Sequence, residues 1–119
     1  MSKTFIILEP DPVVAMDLEG ALIQRFPSCH VTAGASLQEI GAAIHQCGPD
    51  TTMFVKNTLF IGDDDFKRVV QTAATRGSHI VTIGAVEDLD VPSTFVEMPF
   101  TTDMVIAAVD HVTSAPLQS

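Results

Sequence analysis

Two short acidic runs, Glu9-Pro10-Asp11 and Asp63-Asp64-Asp65, hold the side chains with the plainest capacity for chemistry. Grouped carboxylates can hold a hard cation such as Mg²⁺, which takes oxygen ligands in an octahedral array. The second run stands just before a helical pattern. Acids there more often cap the helix start and complement its dipole, and that is the reading adopted. The four histidines, His30, His45, His79 and His111, have neither HExxH nor zinc-finger spacing and read as surface or edge residues. Gly34-Ala35-Ser36 is not a nucleophile elbow, because GxSxG is absent. Gly34, Gly41 and Gly48 form no phosphate-cradling loop. Met53, Met98 and Met104 read as core or pocket fillers. Nothing in these runs implies a resident metal or a cofactor.

The elements that must position these groups alternate along the chain. Residues 4–8 are a continuous apolar run of the buried-strand kind. Pro12 suits the first turn of a helix. Val14, Leu18, Leu22 and Phe26 then recur at helical spacing until Pro27. A second strand is expected over 30–33. Ser36-Leu37-Gln38-Glu39 matches a capping box, opening a helix to about residue 47 that Gly48-Pro49 stops. A third strand covers 52–55. A helix over 63–76 turns Phe66, Val69, Val70 and Ala73 inward and stops at Gly77. The last strands cover 79–83 and 94–96. The last helix covers 102–112, with Met104, Val105, Ala108 and Val112 on its apolar face.

Strands alternating with helices predict an α/β fold with a parallel sheet and right-handed crossovers. Five strands fit the three-layer flavodoxin-like arrangement, order 2-1-3-4-5. Only eight residues, 86–93, separate Ala85 from Thr94, and they include Pro92. A parallel crossover normally takes about a dozen residues or more, so the fourth helix is expected to be shortened or missing. One domain spans 1–113, followed by a short tail over 114–119.

Composition narrows the function classes. The 119 residues carry a net charge of -9, and the six basic residues form no cluster. Such a surface repels a phosphate backbone and an anionic membrane, so neither nucleic acid nor membrane is expected as a partner. Hydrophobic content of 46% argues against disorder. No apolar run approaches the roughly 20 residues of a bilayer span. No signal-peptide pattern opens the chain, which reads as cytoplasmic. Cys29 and Cys47 read as free thiols near one edge of the sheet.

Two stretches carry a family resemblance. Ile6-Ile7-Leu8-Glu9-Pro10-Asp11-Pro12-Val13-Val14-Ala15-Met16-Asp17-Leu18-Glu19 resembles the start of a two-component response-regulator receiver domain, the CheY-like fold. Met98-Pro99-Phe100-Thr101-Thr102-Asp103 resembles the Lys-Pro-Phe segment before that family's last helix. The resemblance implies a crevice at the carboxyl ends of the strands. There three acids bind Mg²⁺ and carry phosphate, while a hydroxyl residue and a lysine contact the phosphoryl group. Glu9 matches the first acid. Pro10 matches the second and offers no carboxylate. Asp11-Pro12 matches a Glu-Pro pair. Lys56, in Lys56-Asn57-Thr58-Leu59-Phe60, matches the phosphoacceptor aspartate. Gly84 stands where a Ser or Thr is usual, and Met98 replaces the lysine.

The resemblance therefore implies a degenerate, pseudo-receiver pocket of Glu9, Pro10, Asp11, Lys56, Gly84, Met98 and Pro99, with no catalytic residue and no metal. Lys56 either neutralises Glu9 or Asp11 or faces solvent. Met98-Pro99 is expected to be cis, as at the matching bond of receivers. The implied function is that of a stand-alone domain in bacterial two-component, phosphorelay signalling. It would act by contact with a protein partner, without enzymatic turnover. One rival is a working phosphoacceptor with atypical residues. Another is a small-molecule sensor using the crevice over Gly84 and Met98. With the fourth helix short, an apolar patch around Ile106 and Met104 is expected to serve a partner or a homodimer.

Overall fold

Phe5, Ile6, Ile7 and Leu8 are all fully buried, so the first strand has no solvent face. A strand buried on both sides belongs in the middle of a parallel sheet with helices on each face. In the computed structural model, which describes residues 3–86 and 89–114, that is its place. The elements run β1 (Thr4–Leu8), α1 (Pro12–Arg25), β2 (His30–Gly34), α2 (Leu37–His45), β3 (Thr51–Lys56), a 3₁₀ turn (Asn57–Phe60), α3 (Asp64–Thr75), β4 (His79–Ile83), β5 (Ser93–Val96) and α4 (Thr102–Ser114). The sheet is parallel throughout, in the order β2-β1-β3-β4-β5. The fold is the flavodoxin-like one expected from the alternation of elements. Of the tail expected over 114–119, Ser114 ends α4 and the rest lies outside the described residues.

Alternation along each strand divides the core. Phe5, Ile7, Phe54, Val81, Ile83 and Val96 pack under α1 and α4 with Leu18, Leu22, Val105 and Val109. Ile6, Leu8, Met53, Val55 and Ile80 pack on the other face under α2 and α3 with Ile40, Phe66 and Val70. Each fully buried large side chain is worth about 1.5–3 kcal/mol over its exposed state. Cys29 packs with the first group and Cys47 with the second. The two free thiols thus belong to opposite faces of the sheet. Burial raises the Cys29 thiol above its usual range, with a backbone hydrogen bond opposing and the Glu19 charge adding to the rise.

Local signals explain most element boundaries. Asp11 caps α1, its carboxylate accepting from Val13 N at 2.9 Å, and Pro12 opens the first turn. Asp63 caps α3 in the same way, accepting from Phe66 N at 2.9 Å, as the capping reading of the acidic run requires. Gly77 takes φ +98 after α3, beside Pro49. Ser36 sits at the start of α2 but makes no capping bond through its side chain. The Ser36 carbonyl takes Glu39 N–H at 3.2 Å, and Ile40 is non-helical, so the expected capping box is not formed.

Two further expectations change. Met104 is 38% exposed rather than inward. The buried stripe of α4 is Val105, Ala108 and Val109, and a residue one step before Val105 is turned about 100° from it. Val69 is half-buried and borders a groove. No helix lies between β4 and β5 among the described residues. The connection still contributes to the core: Leu89 is buried, Val86 and Val91 pack beside it, and the Leu89 carbonyl accepts from Gln71 Nε2 at 3.3 Å. It leaves Phe95 of β5 48% exposed.

Candidate functional site

Strand register brings the first charged residues together. Leu8 pairs with Val55, so Glu9 and Lys56 each stand one residue beyond that pair on the two adjacent central strands. Glu9 N still donates to Gly34 O at 3.1 Å, which extends the sheet on the β2 side and holds Glu9 down into the protein. Glu9 is buried, at 3% exposure. Its Oε2 accepts from Asp11 N at 3.0 Å. Its Oε1 is buried and has no hydrogen-bond donor. Lys56 Nζ lies 3.7 Å from it, on a side chain that is one-quarter exposed. That separation is an ion pair, too long for a good hydrogen bond. The lysine offsets the cost of keeping a carboxylate out of water while its own stem reaches solvent.

Asp11 is exposed and engaged as the cap of α1, and Pro10 is exposed. The acidic run therefore delivers one carboxylate, not two, into the crevice. The Mg²⁺ of a receiver domain does not fit here. The crevice pairs its single buried carboxylate with an ammonium, and a hard cation needs several oxygen ligands. Among the described residues no group of three His, Cys, Asp or Glu side chains is arranged to hold a metal ion.

The other side of the crevice is filled by Asn57, a residue the sequence places at the end of β3 but to which it assigns no role. Gly84 follows β4 with φ +89, and its N–H donates to Val96 O at 2.8 Å. A Cβ at this position would lie 2.5 Å from Asn57 Nδ2 and 2.7 Å from Asn57 Cγ. Asn57 Nδ2 donates to Ala85 O at 3.3 Å. The Asn57 amide thus lies over Gly84 and ties the end of β3 to the end of β4. A side chain at position 84 would have to push the Asn57 amide aside and would be strained at φ +89. Thr82, two residues earlier, is buried and donates to Thr94 O at 3.4 Å, away from this role. The one signal in the sequence was the glycine itself.

Met98 is 46% exposed, and the Met98-Pro99 bond is cis, as expected. Ile106 is half-buried. The space beside Glu9 opens toward β2: a cavity of about 400 Å³ is bordered by Glu9, Met16, Glu19, Gly34 and Glu39, on the opposite side of β1 from Lys56.

With this geometry in view, comparison with known proteins places the fold. No protein-family model matches the chain, and no curated protein matches it. Solved structures do. A response regulator receiver protein from Sinorhizobium medicae WSM419 superposes with a TM-score of 0.72 at 20% identity, over 96% of each chain. A response regulator from Thermotoga maritima gives 0.69 at 14% identity, over 97% of this chain and 100% of that one. A structure described as adenylate cyclase from Rhodopirellula baltica gives 0.68 at 18% identity, over 96% and 89%. The fold is that of response-regulator receiver domains.

Proposed function

We propose that the chain is a receiver-like signalling domain that works by protein contact and does not accept phosphate. The receiver fold supports a response-regulator-like role. The finer reading rests on one observation: the crevice is already occupied by the chain's own side chains. Lys56 neutralises Glu9, and Asn57 fills the space over Gly84. Phosphoryl transfer to a receiver needs an oxygen nucleophile at the end of β3 and a cation to neutralise the incoming charge. The end of β3 here carries an amine, and the fixed charges leave a cation one carboxylate.

The contact surface we assign is the open edge of the sheet at β5 and the neighbouring α4. Phe95 is exposed on the face of β5 opposite α4, Met98 and Met104 are exposed at the edge and on α4, and Ile106 is half-buried. Exposed apolar side chains at a bare sheet edge favour a protein partner or a second copy. No described helix is long and apolar enough to cross a membrane.

Intact-mass spectrometry after incubation with acetyl phosphate and Mg²⁺ tests the reading. The mass is expected to stay unchanged. A stoichiometric phosphate adduct on an acidic side chain would return the chain to the working phosphoacceptors.

A further inference from the structure

A second surface, remote from the crevice, runs between α2 and α3. Its floor is apolar: Ile44 and Cys47 from the end of α2, Val69 and Ala73 from α3. It encloses about 380 Å³. Its lower end is built rather than frayed. Arg76 Nη1 donates to His45 O at 3.2 Å, and Ser78 Oγ donates to Gly48 O at 3.1 Å. Gly77 lies against Pro49, so closely that a Cβ there would come within 3.1 Å of its ring. These links hold the two helix ends at a fixed spacing and keep the groove open.

Part of the rim is basic in a molecule that is acidic overall. The protein has a net charge of -9 and six lysines and arginines. Three of the six, Lys67, Arg68 and Arg76, belong to α3 or its cap. Arg68 and Arg76 border the groove, with Asp65 one turn before Arg68 at one end and His45 across from them on α2. Arg68 meets Asp65 at 3.4 Å, but both side chains are largely exposed, and such a pair is worth little. Arg76 has five N–H donors and spends one on the His45 carbonyl. Eight residues of helix place the α-carbons of Arg68 and Arg76 about 12 Å apart along the axis.

We propose that this groove docks an amphipathic, acidic helical segment of a partner protein. Its apolar stripe would lie on Ile44 and Val69. Its carboxylates, two helical turns apart, would meet Arg68 and Arg76. Helix-in-groove recognition takes this form: an apolar face on an apolar floor, with flanking charges setting register. Arg68 and Arg76 are exposed, so the groove is a trough along α3 rather than a chamber that would bury a small molecule. Asp63, Asp64 and Asp65 stand at the opposite end of α3 from Arg76. The proposal goes beyond the reading of the crevice and holds whether or not the crevice takes phosphate.

The probe is a fluorescein-labelled helical peptide of about 18 residues, long enough for a marginal helix. It carries leucines at helical spacing and flanking glutamates two turns apart. A second peptide has lysines in place of the glutamates. Fluorescence polarisation should show saturable binding of the acidic peptide alone, weakening as salt rises. Arg68→Glu/Arg76→Glu should weaken it about tenfold or more. If that variant fails to fold by circular dichroism, Arg68→Gln/Arg76→Gln at the same exposed positions serves instead. Amide shifts should fall on residues 44–47 and 65–76. The proposal is overturned by absent binding, by equal binding of the lysine peptide, by undiminished binding to the folded variant, or by shifts centred elsewhere. It is also overturned by a dimer in ultracentrifugation that the arginine variant dissolves, which would give the groove to a second copy.

Discussion

Lys56 Nζ lies 3.7 Å from Glu9 Oε1, at the ends of the two neighbouring strands in the middle of the sheet. The glutamate is buried and this oxygen has no hydrogen-bond donor, so the ammonium is what compensates it. Lys56→Met should strand the carboxylate and cost about 1–3 kcal/mol, the penalty for an unsatisfied buried polar group. Adding Glu9→Gln to that variant should recover part of the loss, because the pair is coupled. Urea denaturation of the two single variants and the double variant measures this. Strictly additive losses would mean that the two charges do not feel each other.

Gly84 faces two separate restrictions, a φ of +89 and the Asn57 amide where a Cβ would go. Gly84→Ala should cost about 1–3 kcal/mol through the backbone alone. It should also displace Asn57 from Ala85 O, although the amide is the mobile end of its side chain. In an Asn57→Ala background the contact is gone and only the backbone penalty stays. The substitution should then cost less. An equal cost in both backgrounds, read from denaturation midpoints, would show that Asn57 does not press on position 84.

Asp63 is a helix cap, not a metal ligand. Asp63→Ala removes the bond to Phe66 N and should cost about 1 kcal/mol. Millimolar Mg²⁺ or Ca²⁺ should leave the Tm of the wild type where it is. A cation-dependent rise that Asp63→Ala abolishes would reassign the acidic run to metal binding.

Buried strands were legible in the sequence because both faces are covered: 4–8 and 79–83 are short, mostly apolar runs, and the structure returns them with those bounds. Pro27 and Gly77 marked helix ends for the same local reason. The short β4–β5 connection was legible from its length alone. Rotation of α4 was legible in part. Val105, Ala108 and Val112 pack inward as the spacing implies, but residues 104–108 are all apolar, and packing against β4, β5 and α1 turns Met104 outward. The role of Asn57 was not legible. A glycine in a sequence does not announce φ +89, nor which side chain has filled the space above it.

The open edge of the sheet at β5 and the neighbouring α4 should mediate association. Phe95 is the largest exposed apolar group there, on an edge strand that the short connection leaves bare. Sedimentation at micromolar concentration should detect a dimer or, with a native partner, a complex. Phe95→Glu should abolish it while the circular dichroism spectrum stays unchanged. A wild type that remains monomeric, together with a Phe95→Glu variant that still binds its partner, would sink this assignment.

The central claim is that the crevice is occupied by the protein's own Lys56 and Asn57. The most direct measurement is a titration of the ¹⁵N-labelled chain with Mg²⁺ and then acetyl phosphate, followed by two-dimensional NMR. The account predicts that the amides of Glu9, Lys56, Asn57 and Gly84 do not shift beyond the general effect of salt. Saturable shifts centred on these four residues, enlarged by the phosphodonor, would contradict it.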